Sequence, residues 1–187
     1  EDVRGVDALM RIYENPFTPD TNARDRLSFL DCFPMEYSPN GVGDFRESSI
    51  RVKTKSGHSA VLLTYVSHEI YKGKEKPEGL PVTFGAEDEV TTLAITCEDK
   101  VIGLKAILKY STFEKVDAIA RSVEIINASA DSIVLNKVMS ACLDMDNRDF
   151  DTITLHGSWA RERHMERKAL GHGKHGVSSI RGEGGHQ

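Results

Sequence analysis

Between residues 156 and 176 the sequence reads HGSWARERHMERKALGHGKHG, which gathers four histidines, five basic side chains and the only tryptophan of the chain. Imidazoles ligate divalent metals, and guanidinium or ammonium groups around an indole hold nucleic-acid backbone and bases. Spacing argues against both. His172 and His175 are three apart in a glycine-rich loop. His156 and His164, read as parts of one extended run, stand about 26 Å apart at the rise of a strand. No ligand set converges, so no metal residue is assigned. The tract Arg161, Arg163, Arg167, Lys168, Lys174 and Arg181 is interrupted by Glu162 and Glu166.

Other stretches give no catalytic apparatus. GVGDFR at 41–46 has two glycines but lacks the G-x-G-x-x-G spacing and a following helix that cradle a phosphate. DMDNRDFD at 144–151 groups four aspartates and an asparagine but lacks the glycine and terminal glutamate of a calcium loop, so it reads as an acidic turn. YKGKEKPEG at 71–79 alternates lysine with glutamate around Gly and Pro, as a solvated hairpin loop does. No catalytic and no cofactor-binding residue follows from spacing.

The whole chain narrows the classes further. Its 187 residues suit one domain, 1–187, and 39% hydrophobic content is enough for a core. With 24 basic against 29 acidic residues the formal charge is -5, which gives no general attraction for nucleic acid. The longest apolar runs, such as AVLL at 60–63, fall far below the roughly 20 residues that span a membrane. Cys32, Cys97 and Cys142 are sparse and odd in number, which fits small buried side chains in a reducing cytoplasm. No secretory signal opens the chain, so the triplet Asn127-Ala128-Ser129 reads as a turn. Both ends look cut, as in a piece of a longer protein.

These residues need positioning elements, and the pattern supplies strands. Residues 1–47 are rich in Pro, Asn, Asp and Gly and read as long ordered loops. From Ser48 period-two alternation sets in. SSIRVKTK (48–55) turns at Ser56-Gly57 into HSAVLLTYVSHEIY (58–71), which reads as a hairpin. EVTTLAITCE, VIGLKAILKYST, DAIARSVEIIN and SIVLNKVMSACLDM follow, with turns at Asp99-Lys100, FEKV and ASAD. Ile102, Leu104, Ala106, Leu108 and Tyr110 share one face, and Lys105 and Lys109 mark a solvated one. Residues 158–170 lack an apolar helical stripe and read as a polar edge strand, with Trp159, Arg161, Arg163, Met165 and Arg167 on one side and Ala160, Glu162, His164, Glu166 and Lys168 on the other. The fold class is therefore all-β, an antiparallel β-sandwich of about seven or eight strands with long loops near the N-terminus.

GDFR (43–46), SHEIYKGK (67–74), EGLP (78–81), WARER (159–163) and the closing RG..HQ, in this order along nearly the whole chain, resemble the α-galactosidases of glycoside hydrolase family 36. The resemblance implies an amino-terminal β-supersandwich followed by a (β/α)8 barrel that carries two catalytic aspartates. It implies retaining hydrolysis of terminal α-linked galactose, with carboxyl groups about 5 to 5.5 Å apart. The nucleophile strand of that barrel is absent here, so the fragment is expected to be inactive alone. The resemblance further implies a homo-oligomer, commonly a tetramer, in which the loop IYENPFTPDTNARDR meets a neighbour's active site through Glu14 and Arg26. Carboxylate and guanidinium groups there would engage adjacent sugar hydroxyls, or merely pin the proline-rich loop by ion pairing. Glu14 stands where the family has aspartate, and Gly184 and Gly185 where it usually has two serines. The alternative is a non-catalytic carbohydrate-binding or scaffolding sandwich, against which stands the single tryptophan.

Overall fold

The computed structural model describes residues 36–41, 47–143 and 149–178. The chain divides into two compact units, Glu1–Asp144 and Met145–Gln187. Among the described residues every regular element is a strand, so no helix is long and apolar enough to cross a membrane.

The first unit contains β1 (Ile50–Thr54), β2 (Thr64–Lys72), β3 (Val90–Asp99), β4 (Leu104–Phe113), β5 (Ala118–Asn127) and β6 (Ile133–Val138). β2 to β5 form an antiparallel sheet in chain order, and β1 pairs with β6 in a second sheet. The register sets Ile95 of β3 and Val123 of β5 on either side of Leu108, so alternate residues of three strands share a face. Against that face lie Ile50 and Val52 of β1, with Tyr37, Val61, Ile102, Leu104 and Leu108 completing the buried cluster. Two sheets packed through their inner faces make the expected sandwich. The face assigned to Ile102, Leu104, Ala106, Leu108 and Tyr110 is the inward one, with all but Tyr110 buried.

The turns follow local side-chain chemistry. Asp99 ends β3 by accepting hydrogen bonds at one carboxylate oxygen from the amides of Val101 and Ile102, 2.9 and 3.3 Å away. Its other oxygen takes the amide of Leu62 at 2.8 Å. Gly103 then closes the turn at φ 67°, where a Cβ would lie 2.8 to 3.0 Å from Ser129 atoms. At the end of β5 the Asn127 carboxamide accepts from the amide and hydroxyl of Ser129 and donates to the carbonyl of Asp131, so that triplet is a turn. Of the stretch 71–79 expected as a hairpin loop, Tyr71 and Lys72 still belong to β2, paired with Thr92 and Thr91, and the β2–β3 loop opens at Gly73.

Three expectations need correction here. The turn at Ser56-Gly57 exists, with the Gly57 amide on the Thr54 carbonyl, but the strands beside it do not pair with each other. Residues beyond the turn have other partners: Val61 donates to the Asn40 carbonyl and Leu62 to Asp99, so β1 is left to β6 and β2 to β3. The strand expected from 132 to 145 stops at Val138, because the Met139 backbone is held by Ser49 and by the Tyr37 hydroxyl. Lys109 is not solvated. Its side chain is 18% exposed, bonded to Glu75 of the β2–β3 loop at 2.5 Å and to Glu124 of β5 at 3.0 Å.

In the second unit β7 (Asp151–Ser158) and β8 (Arg161–Ala169) form an antiparallel hairpin. Ser158 pairs with Arg161, so only Trp159 and Ala160 make the turn, Ala160 at φ 63°. The single polar strand expected over 158–170 therefore begins three residues later, at Arg161, and β7 has no counterpart in the strands expected from the pattern. Met165 and Arg167 do share one face, with Ile153 and Leu155 opposite them, and His164, Glu166 and Lys168 share the other. Trp159 belongs to neither face; it sits at the turn, 83% exposed.

Candidate functional site

Glu14 and Arg26 lie outside the described residues, as do the motif at 43–46, Cys32 and the tail with Gly184 and Gly185. What the structure brings together is a polar anchor at Glu36. Glu36, the first described residue, accepts a hydrogen bond from the Tyr110 hydroxyl at 2.8 Å and an ion-paired one from the Arg121 guanidinium. Arg121 also donates to the Cys142 carbonyl at 3.0 Å and lies 4.8 Å from the centre of the Tyr110 ring. Arginine suits the place because its planar fork reaches three partners, Glu36, the Cys142 carbonyl and the Tyr110 hydroxyl at 3.4 Å, while its face lies over the ring. Burial, then the bond to Glu36, raise the Tyr110 hydroxyl to about 12. Nearby, Tyr37 is buried, donates to the Met139 carbonyl at 2.9 Å, and is likewise raised to about 12 by burial.

Glu36, Arg121 and Tyr110 thus fasten the segments at 36–41 and 139–143 to strands β4 and β5. Sequence reasoning missed the trio because its members stand 74 and 85 residues apart, and each alone looks like an ordinary polar position. The arrangement positions; it has no free acid to offer a substrate.

The family motif SHEIYKGK runs through β2 into its loop. Gly73 donates to the Val90 carbonyl and accepts from the Thr92 hydroxyl at 2.6 Å, and Thr92 meets Ser111 at 2.8 Å. Tyr71 is raised by burial and by the charge of Glu75. At the surface, Lys72 hydrogen-bonds Glu114 and holds its carboxyl below the usual range, the opposite of what a general acid needs. Among the described residues no group of three or more His, Cys, Asp and Glu is placed to hold a metal. WARER forms the β7–β8 turn and the start of β8, where Arg167 reaches back to Asp151 and Lys168 to Glu166 at 3.0 Å.

Residues 7–187 match the family model described as the glycosyl hydrolase family 36 N-terminal domain. The chain belongs to this family. This family 36 domain is 37% identical over 187 residues to alpha-galactosidase AgaA of Geobacillus stearothermophilus, covering 100% of the chain and 26% of that protein. It is 37% identical over 169 residues to the bifunctional alpha-galactosidase/sucrose kinase AgaSK of Mediterraneibacter gnavus, covering 90% of the chain and 18% of that protein. The crystal structure of AgaA superposes with a TM-score of 0.85 at 37% identity, over 100% of this chain and 26% of that one. A variant of AgaA has been solved in complex with raffinose. The family 36 domain thus spans about a quarter of the length of AgaA.

Proposed function

We propose that this chain is the amino-terminal β-sandwich of a cytoplasmic, homo-oligomeric α-galactosidase that removes terminal galactose from raffinose- and melibiose-type sugars with retention. The observation that carries the reading is the likeness to AgaA in sequence and shape over the whole chain. In this reading the catalytic carboxylates come from a barrel domain, and this domain serves assembly and the rim of a neighbouring subunit's active site. The Glu36 anchor supports that role, because a rim loop is useful only when its base is fixed. Glu14 and Arg26 then engage sugar hydroxyls, and the free thiols of Cys97 and Cys142 accord with a reducing compartment.

Two measurements test it. The pure chain is expected to show no turnover of an aryl α-galactoside above the blank, and activity there overturns the division of labour. In the enzyme that carries this domain, Arg26→Ala is expected to raise KM for raffinose with little change in melting temperature; unchanged kinetics remove Arg26 from the rim. Titration of the chain with melibiose separates this reading from a self-sufficient carbohydrate-binding module, which would keep its affinity without a barrel.

A further inference from the structure

The polar face of the β7–β8 hairpin carries a pair of side chains that nothing above employs. His156 and His164 are directly opposed in the register, both exposed, with ring centres 6.2 Å apart and planes tilted by 35°. The 26 Å that separates them along a continuous strand is cancelled by the turn at Trp159 and Ala160. We propose that the two imidazoles form a cross-strand chelate for a borderline divalent transition cation, Cu2+ foremost and Ni2+ or Zn2+ after it.

A metal sits about 2.0 to 2.1 Å from an imidazole nitrogen, which sets the ring centres about 4.5 Å apart at the roughly 90° angle of a tetragonal Cu2+ or Ni2+ site and about 5 Å apart at the tetrahedral angle of Zn2+. The observed 6.2 Å exceeds these by about 1 to 2 Å, a gap that rotation about the χ angles of two exposed side chains closes. The two strands lie close together beneath them. At Gly157 a Cβ would fall 2.2 Å from the Arg161 carbonyl oxygen, so the strands approach closely right beside the pair. Arg163, next to His164, is held at φ 56°, and the register shifts between His156 and Ser158. Thr154 and Glu166 form the next pair on the same face, but the Glu166 carboxylate is engaged by Lys168 at 3.0 Å. The protein therefore supplies two nitrogen ligands, and water completes the coordination. Such a donor set favours Cu2+, Ni2+ and Zn2+ over Mg2+ and Ca2+, which prefer oxygen. Bridging the strands also stabilises a two-stranded hairpin, which alone is marginal in water.

Among the described histidines of the same unit the competing ligands are His172 and His175, in the loop that follows. The test is titration of the full chain with Cu2+, followed by calorimetry and electron paramagnetic resonance. One Cu2+ with two coupled imidazole nitrogens is expected, with affinity falling by about tenfold or more in His156→Gln and in His164→Gln. The double variant His172→Gln, His175→Gln should bind within about twofold of the native chain, and excess Mg2+ should not compete. Paramagnetic broadening of native amide signals, which needs no variant to fold, should centre on 154–156 and 164–166. Broadening centred on 172–175, loss of binding in the loop variant, native affinity in both strand variants, or no imidazole coupling overturns the proposal.

Discussion

Asp99 shows how much rests on one carboxylate. It is buried and takes three backbone amides, tying the β3–β4 turn to the strand of chain that leads into β2. Asp99→Ala orphans those donors and is expected to lower unfolding free energy by about 1–3 kcal/mol, read from the urea midpoint at constant slope. Tyr37 and Tyr110 bring a pH dependence. Both hydroxyls rise to about 12, so the folded state holds their protons more tightly than the unfolded chain does. The stability this gives is complete below the unfolded value of 10.0 and is lost as pH rises through 12. Urea melts between pH 9 and 12 should fall more gently in Tyr110→Phe than in the native chain. Of these residues Asp99 was legible, since an aspartate before Lys-Val-Ile-Gly announces a turn. The Glu36 trio was not, because no local rule links an acid with a tyrosine and an arginine from two distant strands.

At the scale of elements, what was read well is local. The alternation in β3, β4 and β5 and the turn residues between them are enough, because each strand pairs with its successor. The β1–β2 hairpin failed because pairing is decided by which faces must be buried, and Ile50 and Val52 reach the core only with β6 beside them. β7 escaped notice because the Thr-Ile-Thr-Leu alternation was hidden behind an acidic run, and its turn lacks the usual Asn-Gly. Two glycines test these elements. Gly103→Ala forces a side chain into left-handed backbone against Ser129 and should cost about 1–3 kcal/mol in urea unfolding. Gly157→Ala drives a methyl against the Arg161 carbonyl. It should speed hydrogen exchange across β7 and β8 while leaving β3 to β5 unchanged.

For the whole molecule, family membership was readable from five short motifs because their order, rather than any one of them, is improbable by chance. The surface was not readable in the same way. Strand β2 lies at a sheet edge among the described residues and exposes Tyr65, Val66 and Ile70 beside Leu62. An apolar edge of this kind invites association between copies, so Ile70→Lys should reduce light scattering of the concentrated chain without shifting its melting temperature.

The pairing of β1 with β6 also has a consequence for synthesis on the ribosome. β1 emerges first, yet its partner is encoded roughly eighty residues later. At about 5–20 residues per second β1 waits for some 4 to 16 seconds while the β2–β5 meander grows strand by strand, its last strand ending at Asn127, just before β6 begins at Ile133. Ile50 and Val52 thus stay without their β6 partner for the whole synthesis of residues 55–132, and codon usage over that stretch sets how long.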